Sequence, residues 1–195
     1  MMTLFVAAAL AGPPCAPDLS GLPTLWSGDR ARGPAVIVVD KSERTLGLYG
    51  QGALRTVDGR PDSAPICFPV QVGFNAGHKQ AEGDKRTPEG WYRTSDKPNS
   101  AWWRAIAVHY PELKDADAAL ADGRIDAATH ARIAGALARG EKPPQDTPLG
   151  GEILIHGGGQ DREPTKGCVA LEDVDLRSLR TWLPTGMRAD VLIIP

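Results

Sequence analysis

The sequence predicts a mainly β domain with a short helical insertion and one helix near its C-terminal end. Three observations predict this class. The 195 residues include 22 glycines and 17 prolines, a turn-rich composition that suits short strands better than a helical bundle. Apolar residues gather in short, β-branched runs separated by polar turns. Helical spacing appears in only two places, residues 111–142 and residues 173–183.

Residues 1–34 read as a signal segment followed by a Pro-rich leader. The apolar run at residues 4–10 and the small-x-small pattern Ala9-Leu10-Ala11 have the form of an h-region and a cleavage site. No Lys or Arg precedes the run, so a buried first strand or an alanine-rich tail is the alternative. The domain proper is expected over residues 35–195. Residues 35–39 (Ala-Val-Ile-Val-Val) form a continuous apolar strand, residues 40–43 a turn, and residues 45–49 a second, alternating strand. Residues 53–57 continue the meander, and residues 66–72 add a strand that Pro69 confines to an edge or a bulge. Residues 73–90 are polar and lack periodicity; loops of that length are uncommon unless functional or disordered. Strands resume at residues 91–94 and 102–110.

Residues 111–142 suit two short helices broken at Asp122-Gly123, with Asp126 capping the second. The acids Asp115, Asp117, Asp122 and Asp126 lack the ligand order of a calcium loop and read as solvated helix faces. This insertion spans about residues 111–145, and the prolines at 143, 144 and 148 stiffen the return. Strands are expected at residues 152–156 and 169–171. Asp173 is placed to cap a helix that buries Val174, Leu176, Leu179 and Leu183 before Pro184 and Gly186 stop it. Residues 190–194 form the last strand.

A formal net charge of −2 gives no electrostatic basis for binding nucleic acid or an anionic membrane surface. No apolar run approaches the ~20 residues a membrane span needs. There are three cysteines, an odd number. In an exported chain Cys15 and Cys67 can pair and leave Cys168 as the free thiol. The alternative is that Cys67 is a small buried apolar residue.

The chemistry concentrates at two glycine-flanked residues. His156 ends the apolar run Ile153-Leu154-Ile155 and enters Gly157-Gly158-Gly159. Cys168 follows Thr165-Lys166-Gly167 and heads a second apolar run. A thiol beside an imidazole is a nucleophile beside a base, and glycines let a substrate carbonyl approach backbone donors closely. Strand alternation puts Ile153 and Ile155 on one face and Leu154 and His156 on the other. No Asp or Glu is near His156 in sequence, so a backbone carbonyl, that of Gly157, is the candidate orienter. His78, His109, His156 and Cys168 lack zinc-ligand spacing, and no metal site is expected.

His156-Gly157 followed by Thr165-x-Gly167-Cys168 resembles the signature of the L,D-transpeptidase catalytic (YkuD-type) domain. Gly73 and the segment Glu82-Gly83-Asp84-Lys85-Arg86-Thr87-Pro88-Glu89-Gly90 are similar to the family's upstream landmarks, in the family's order across residues 35–195. Lys97-Pro98-Asn99-Ser100, His109-Tyr110-Pro111, Leu149-Gly150-Gly151 and the helical insertion resemble its murein-active branch. The resemblance implies a β-sandwich-like catalytic domain with Cys168 as nucleophile and His156 as general base. It implies that Gly157 orients the ring, that Gly167 and Cys168 lie at the oxyanion site, and that Thr165, Lys166 and Arg86 contact substrate. The implied reaction is acyl transfer on a peptidoglycan tetrapeptide stem, with release of D-alanine, a thioester on Cys168 and transfer to an amine.

The same resemblance implies an exported protein of the periplasm or cell envelope, monomeric, needing no cofactor, with peptidoglycan stem peptides as its partner. A hydrolase using the same thioester is the alternative, and a non-catalytic wall-binding module the second. The chain departs from the family pattern at Lys166, where His or Arg is common, and at Ala170, where Arg is frequent. Lys85, Arg86 or Arg162 would have to compensate in recognising a carboxylate.

Overall fold

A computed structural model describes residues 15–23, 28–102, 104–161 and 163–195; the apolar run at residues 4–10 expected as a signal segment and Arg162 lie outside them. The described residues contain nine strands: β1 (Val36–Asp40), β2 (Thr45–Gly50), β3 (Ala53–Leu54), β4 (Cys67–Pro69), β5 (Gly90–Lys97), β6 (Ala105–Val108), β7 (Leu154–His156), β8 (Val169–Ala170) and β9 (Asp190–Ile194). They also contain three α-helices: α1 (Leu113–Ala121), α2 (Ala127–Ala138) and α3 (Asp173–Trp182).

The turn after β1 is built by Asp40, whose carboxylate accepts from the Glu43 amide at 2.9 Å and the Ser42 hydroxyl at 2.7 Å. β1 and β2 are therefore an antiparallel hairpin, with Val38 opposite Gly47. The last strand, β9, lies parallel to β1 and antiparallel to β5, so the C-terminal segment sits in the middle of the sheet. The order is β3-β2-β1-β9-β5-β6-β7-β8, with β4 on β2.

One segment curls this sheet. β4 pairs with β2 and ends at Pro69, which has no amide proton to continue the ladder. Two residues on, Gln71 exchanges both backbone hydrogen bonds with Ala170 of β8, each 2.8 Å. Residues 67–73 thus join both ends of the strand path. The main core lies inside the curl and includes Ile37, Leu46, Tyr92, Ile106, Ile155, Val169, Leu176 and Val191. Val36 and Val38 are buried in a second cluster with Tyr49 and Leu192, so β1 is covered on both faces, as its unbroken apolar run requires.

The leader is partly built into the domain. Leu19 and Ala31 are buried in the second cluster. Cys15 and Cys67 form a disulfide, with Cα atoms 5.9 Å apart.

Asp126 caps α2 through the Thr129 amide at 2.8 Å. Two expectations about acids need correction. Asp115 is not on a solvated face: it is buried, closes a capping box with Glu112 at the start of α1, and receives His78 and Lys114. Asp173 does not cap α3, because its carboxylate is turned away to accept the Gly158 amide at 2.9 Å. Leu176, Leu179 and Leu183 of the C-terminal helix region are buried, but Val174 is 61% exposed and lies outside that stripe.

Candidate active site

β7 and β8 run parallel, with Ile155 opposite Val169 and His156 opposite Ala170. Ile155 and Val169 point into the main core. Leu154, His156, Cys168 and Ala170 therefore share the opposite face, where Leu154 packs with Ala105, Ala107 and Cys168. Sheet spacing makes Cys168 and His156 diagonal neighbours, with Cα atoms roughly 8 Å apart.

His156 is buried, and its Nδ1 hydrogen bonds to the carbonyl oxygen of Gly157. A carbonyl only accepts, so Nδ1 carries the proton and Nε2 of the neutral ring has a free lone pair. Burial lowers the imidazole below its ordinary pKa, opposed by the Gly157 bond. Trp102 covers the ring, its centroid 5.0 Å from that of His156 at an interplanar angle of 35°. A Cβ at Gly157 would meet the end of the Asp173 carboxylate, which would have to move aside and give up its bond to the Gly158 amide.

Cys168 is a partly exposed free thiol. Its Sγ lies 3.5 Å from the carbonyl oxygen of Glu152. Burial raises the thiol above its ordinary pKa; the Leu154 amide opposes this, the Glu152 carboxylate adds to it, and Lys79 and Lys97 oppose it. Lowered imidazole and raised thiol together favour a neutral pair over a preformed ion pair.

The Thr165–Cys168 turn is tied by one hydroxyl. Thr165 Oγ1 donates to the Cys168 carbonyl at 2.7 Å and accepts the Gly167 amide at 3.0 Å. The expected substrate contact at Thr165 is thus directed into the turn instead. The Gly167 amide is likewise engaged, so this glycine contributes room rather than an oxyanion donor. Its φ is +131°, and a Cβ would sit 2.8 Å from the Arg86 carbonyl oxygen. Arg86 is beside the site through this backbone, and Lys166 is exposed.

The polar loop of residues 73–90 is held by buried groups. Thr87 is fully buried; its hydroxyl accepts the Gly73 amide at 2.8 Å and reaches the Cys168 carbonyl at 3.5 Å. His78 accepts the Glu89 amide on Nδ1 at 2.9 Å and presents Nε2 to Asp115 at 3.1 Å. Asp84 accepts the Gln80, Ala81 and Arg86 amides and pairs with buried Lys79. Its carboxylate thereby shapes the loop. Lys41 adds bonds to the Gly77 and Thr87 carbonyls.

Sequence reading did not single out Trp102, Glu152 or Thr87 as parts of this site. Thr87 belongs to the upstream landmark in sequence, and Trp102 lies in the turn before β6 rather than in the strand expected over residues 102–110. An aromatic residue following Lys-Pro-Asn-Ser in a turn, where apolar burial is not expected, was the available signal. Glu152 adopts φ +53°, a strained backbone for a non-glycine residue that sequence does not reveal. Among the described residues, no three His, Cys, Asp or Glu side chains converge as metal ligands would.

This arrangement of strands, loop and glycine-flanked pair matches a known domain. The pattern of the YkuD L,D-transpeptidase catalytic domain matches residues 34–193. The chain belongs to the L,D-transpeptidase catalytic domain family. A further likeness is to "Putative L,D-transpeptidase YafK" of Escherichia coli (strain K12), 35% identical over 85 residues that cover 42% of this chain and 32% of YafK. The helical cell shape determining protein Pgp2 of Campylobacter jejuni shares the fold. Its K307A structure superposes with a TM-score of 0.54 at 21% identity, covering 89% of this chain and 51% of Pgp2. A second Pgp2 structure gives a TM-score of 0.51 at 21% identity, covering 85% of this chain and 51% of that one. This L,D-transpeptidase domain thus spans about half the length of Pgp2.

Proposed function

We propose that this L,D-transpeptidase family member is a cysteine acyltransferase of peptidoglycan tetrapeptide stems, with Cys168 as nucleophile and His156 as base. The observation that carries the reading is the bond from His156 Nδ1 to the Gly157 carbonyl, which leaves Nε2 unprotonated on the face that bears Cys168. In the first half-reaction Nε2 takes the Cys168 proton as sulfur bonds to the carbonyl carbon of the amide before D-alanine. The carbonyl oxygen becomes an oxyanion, for which the Cys168 amide is the candidate main-chain donor. The C–N bond then breaks, the imidazolium returns the proton to the leaving amine, and a thioester remains.

In the second half-reaction an acceptor amine attacks the thioester, His156 again takes a proton, and the thiol is released. Water at the same position gives hydrolysis. The domain is read as residues 35–195 behind an exported leader, monomeric and acting outside the cytoplasm. The Cys15–Cys67 disulfide supports that placement, because such bonds persist in oxidising compartments. Among the described residues no helix is long and apolar enough to cross a membrane.

The test is incubation of the native chain and Cys168→Ala with defined disaccharide tetrapeptides, products being read by mass spectrometry. Released D-alanine with new amide bonds supports transfer, and shortened stems alone support the hydrolase. Equal turnover by Cys168→Ala refutes both.

A further inference from the structure

A cleft lies on the same sheet face as the thiol. Tyr92 of β5 belongs to the main core, so Arg93, Ser95 and Lys97 project from the opposite face. Ser95 is opposite Ala107 of β6, and Ala107 is opposite Leu154 of β7, which packs with Cys168. Arg93, Ser95, His109, Lys142 and Arg188 wall a cleft of about 600 Å³. Three strand spacings put Ser95 roughly 14 Å from Cys168.

The two sites are physically joined. Glu152, whose carbonyl touches the Cys168 thiol, binds Lys97 and, at 3.0 Å, Lys142. The carboxylates at the cleft are already matched: Asp190 with Arg30 at 2.6 Å and Glu141 with Arg139 at 2.8 Å. Among the described residues, no carboxylate lies at ion-pairing distance from Arg93 or Arg188. His109 is buried in the wall, with Nε2 2.9 Å from Ser95 Oγ and Nδ1 without a partner among the described residues. Burial first, then the positive charges of Lys142, Arg93 and Arg188, lowers its pKa to about 4. The ring is therefore neutral at pH 7, and the cleft's excess positive charge comes from the two arginines.

We propose that this cleft binds a free carboxylate of the peptide strand whose amide reacts at Cys168. The proposal rests on the peptide reading of the Cys168 site and adds a subsite to it. At most three stem residues lie on the acyl side of the reacting amide, a span of roughly 10–11 Å, and the long arginine side chains shorten the remaining gap to the thiol. Unpaired guanidinium forks match carboxylates in geometry as well as charge. The subsite would thus recognise an anionic stem without using the positions of Lys166 and Ala170.

The test is calorimetric binding to the full chain carrying Cys168→Ala, which prevents turnover. The probes are a disaccharide tetrapeptide with free stem carboxylates and the same molecule with those carboxylates amidated. The free form should bind at least tenfold more tightly, and Arg93→Gln/Arg188→Gln should abolish that preference. Arg93→Lys/Arg188→Lys should restore part of it. Equal binding of the two probes, or a preference that survives the double Gln variant, overturns the proposal, as does tighter binding of poly(glycerol phosphate) than of the muropeptide. D-alanine release by the native thiol is measured separately. Release without carboxylate preference removes only the cleft; preference without release removes only the assigned reaction.

Discussion

The Trp102 indole lies over the imidazole of His156, with ring centroids 5.0 Å apart and planes inclined by 35°. Trp102 is itself 55% exposed, so it shields the imidazole from one side while leaving its outer face open to solvent. A contact of this kind is worth about 0.5–1.5 kcal/mol beyond simple burial.

Trp102→Ala should slow acylation of Cys168 by about 2–10-fold, and Trp102→Phe should recover most of the loss. The acid limb of the rate profile should also move. Burial lowers His156, so uncovering the ring lets its pKa rise toward the ordinary value and moves the limb to higher pH. Stopped-flow acylation by a thiol-acylating β-lactam, followed against pH, reads both effects. A profile identical to that of the native chain contradicts the shielding role.

His109 should make the fold acid-sensitive. Its folded pKa, about 4, lies below the ordinary 6.5, so the unfolded chain binds the extra proton in that window. Stability is then fully present above pH 6.5 and lost as pH falls toward 4, by about 3 kcal/mol if this residue acts alone. Urea unfolding at pH 7, 5.5 and 4.5 measures the slope, and His109→Gln should flatten it.

Asp115→Ala should loosen the loop that borders the thiol. It removes a buried carboxylate that receives His78, Lys114 and the Glu112 amide. Burial alone would raise this carboxyl's pKa, but His78 and Lys114 hold it below the ordinary range, so it is charged at neutral pH. Its partners His78 and Lys114 are partly exposed, so the loss should be about 1–3 kcal/mol, the cost of leaving their donors and the Glu112 amide unpaired. Urea titration should show the loss, and hydrogen exchange should show faster exchange of the Glu89 amide, which His78 accepts.

Reduction of Cys15–Cys67, or the double Ser variant, should lower stability by about 3–4 kcal/mol, because the bond closes a long loop in the unfolded chain. Denaturant midpoints with and without reductant, in a Cys168→Ala background, isolate the effect.

What the chain reveals before folding follows a physical divide. β1, β2 and the facing of His156 were legible because alternation and apolar runs are local signals. Asp126 was legible as a cap for the same reason. Asp115 was misread because its burial depends on His78, 37 positions away, meeting it across the loop. Asp173 departs from the cap expectation because its carboxylate accepts the Gly158 amide rather than an amide of its own helix. The closure of the sheet through Gln71 and Ala170, and the cover of Trp102 over His156, likewise arise only from long-range contacts. The glycines around Cys168 were visible, but not that Thr165 engages the Gly167 amide.

The most direct test of the central claim is intact-protein mass spectrometry during turnover of a disaccharide tetrapeptide. The native chain should accumulate a covalent acyl adduct that peptide mapping places on Cys168, with one D-alanine released per adduct. His156→Ala should form it far more slowly at neutral pH, and Cys168→Ala not at all. D-alanine release by Cys168→Ala, or an adduct mapped to any other residue, would contradict the account.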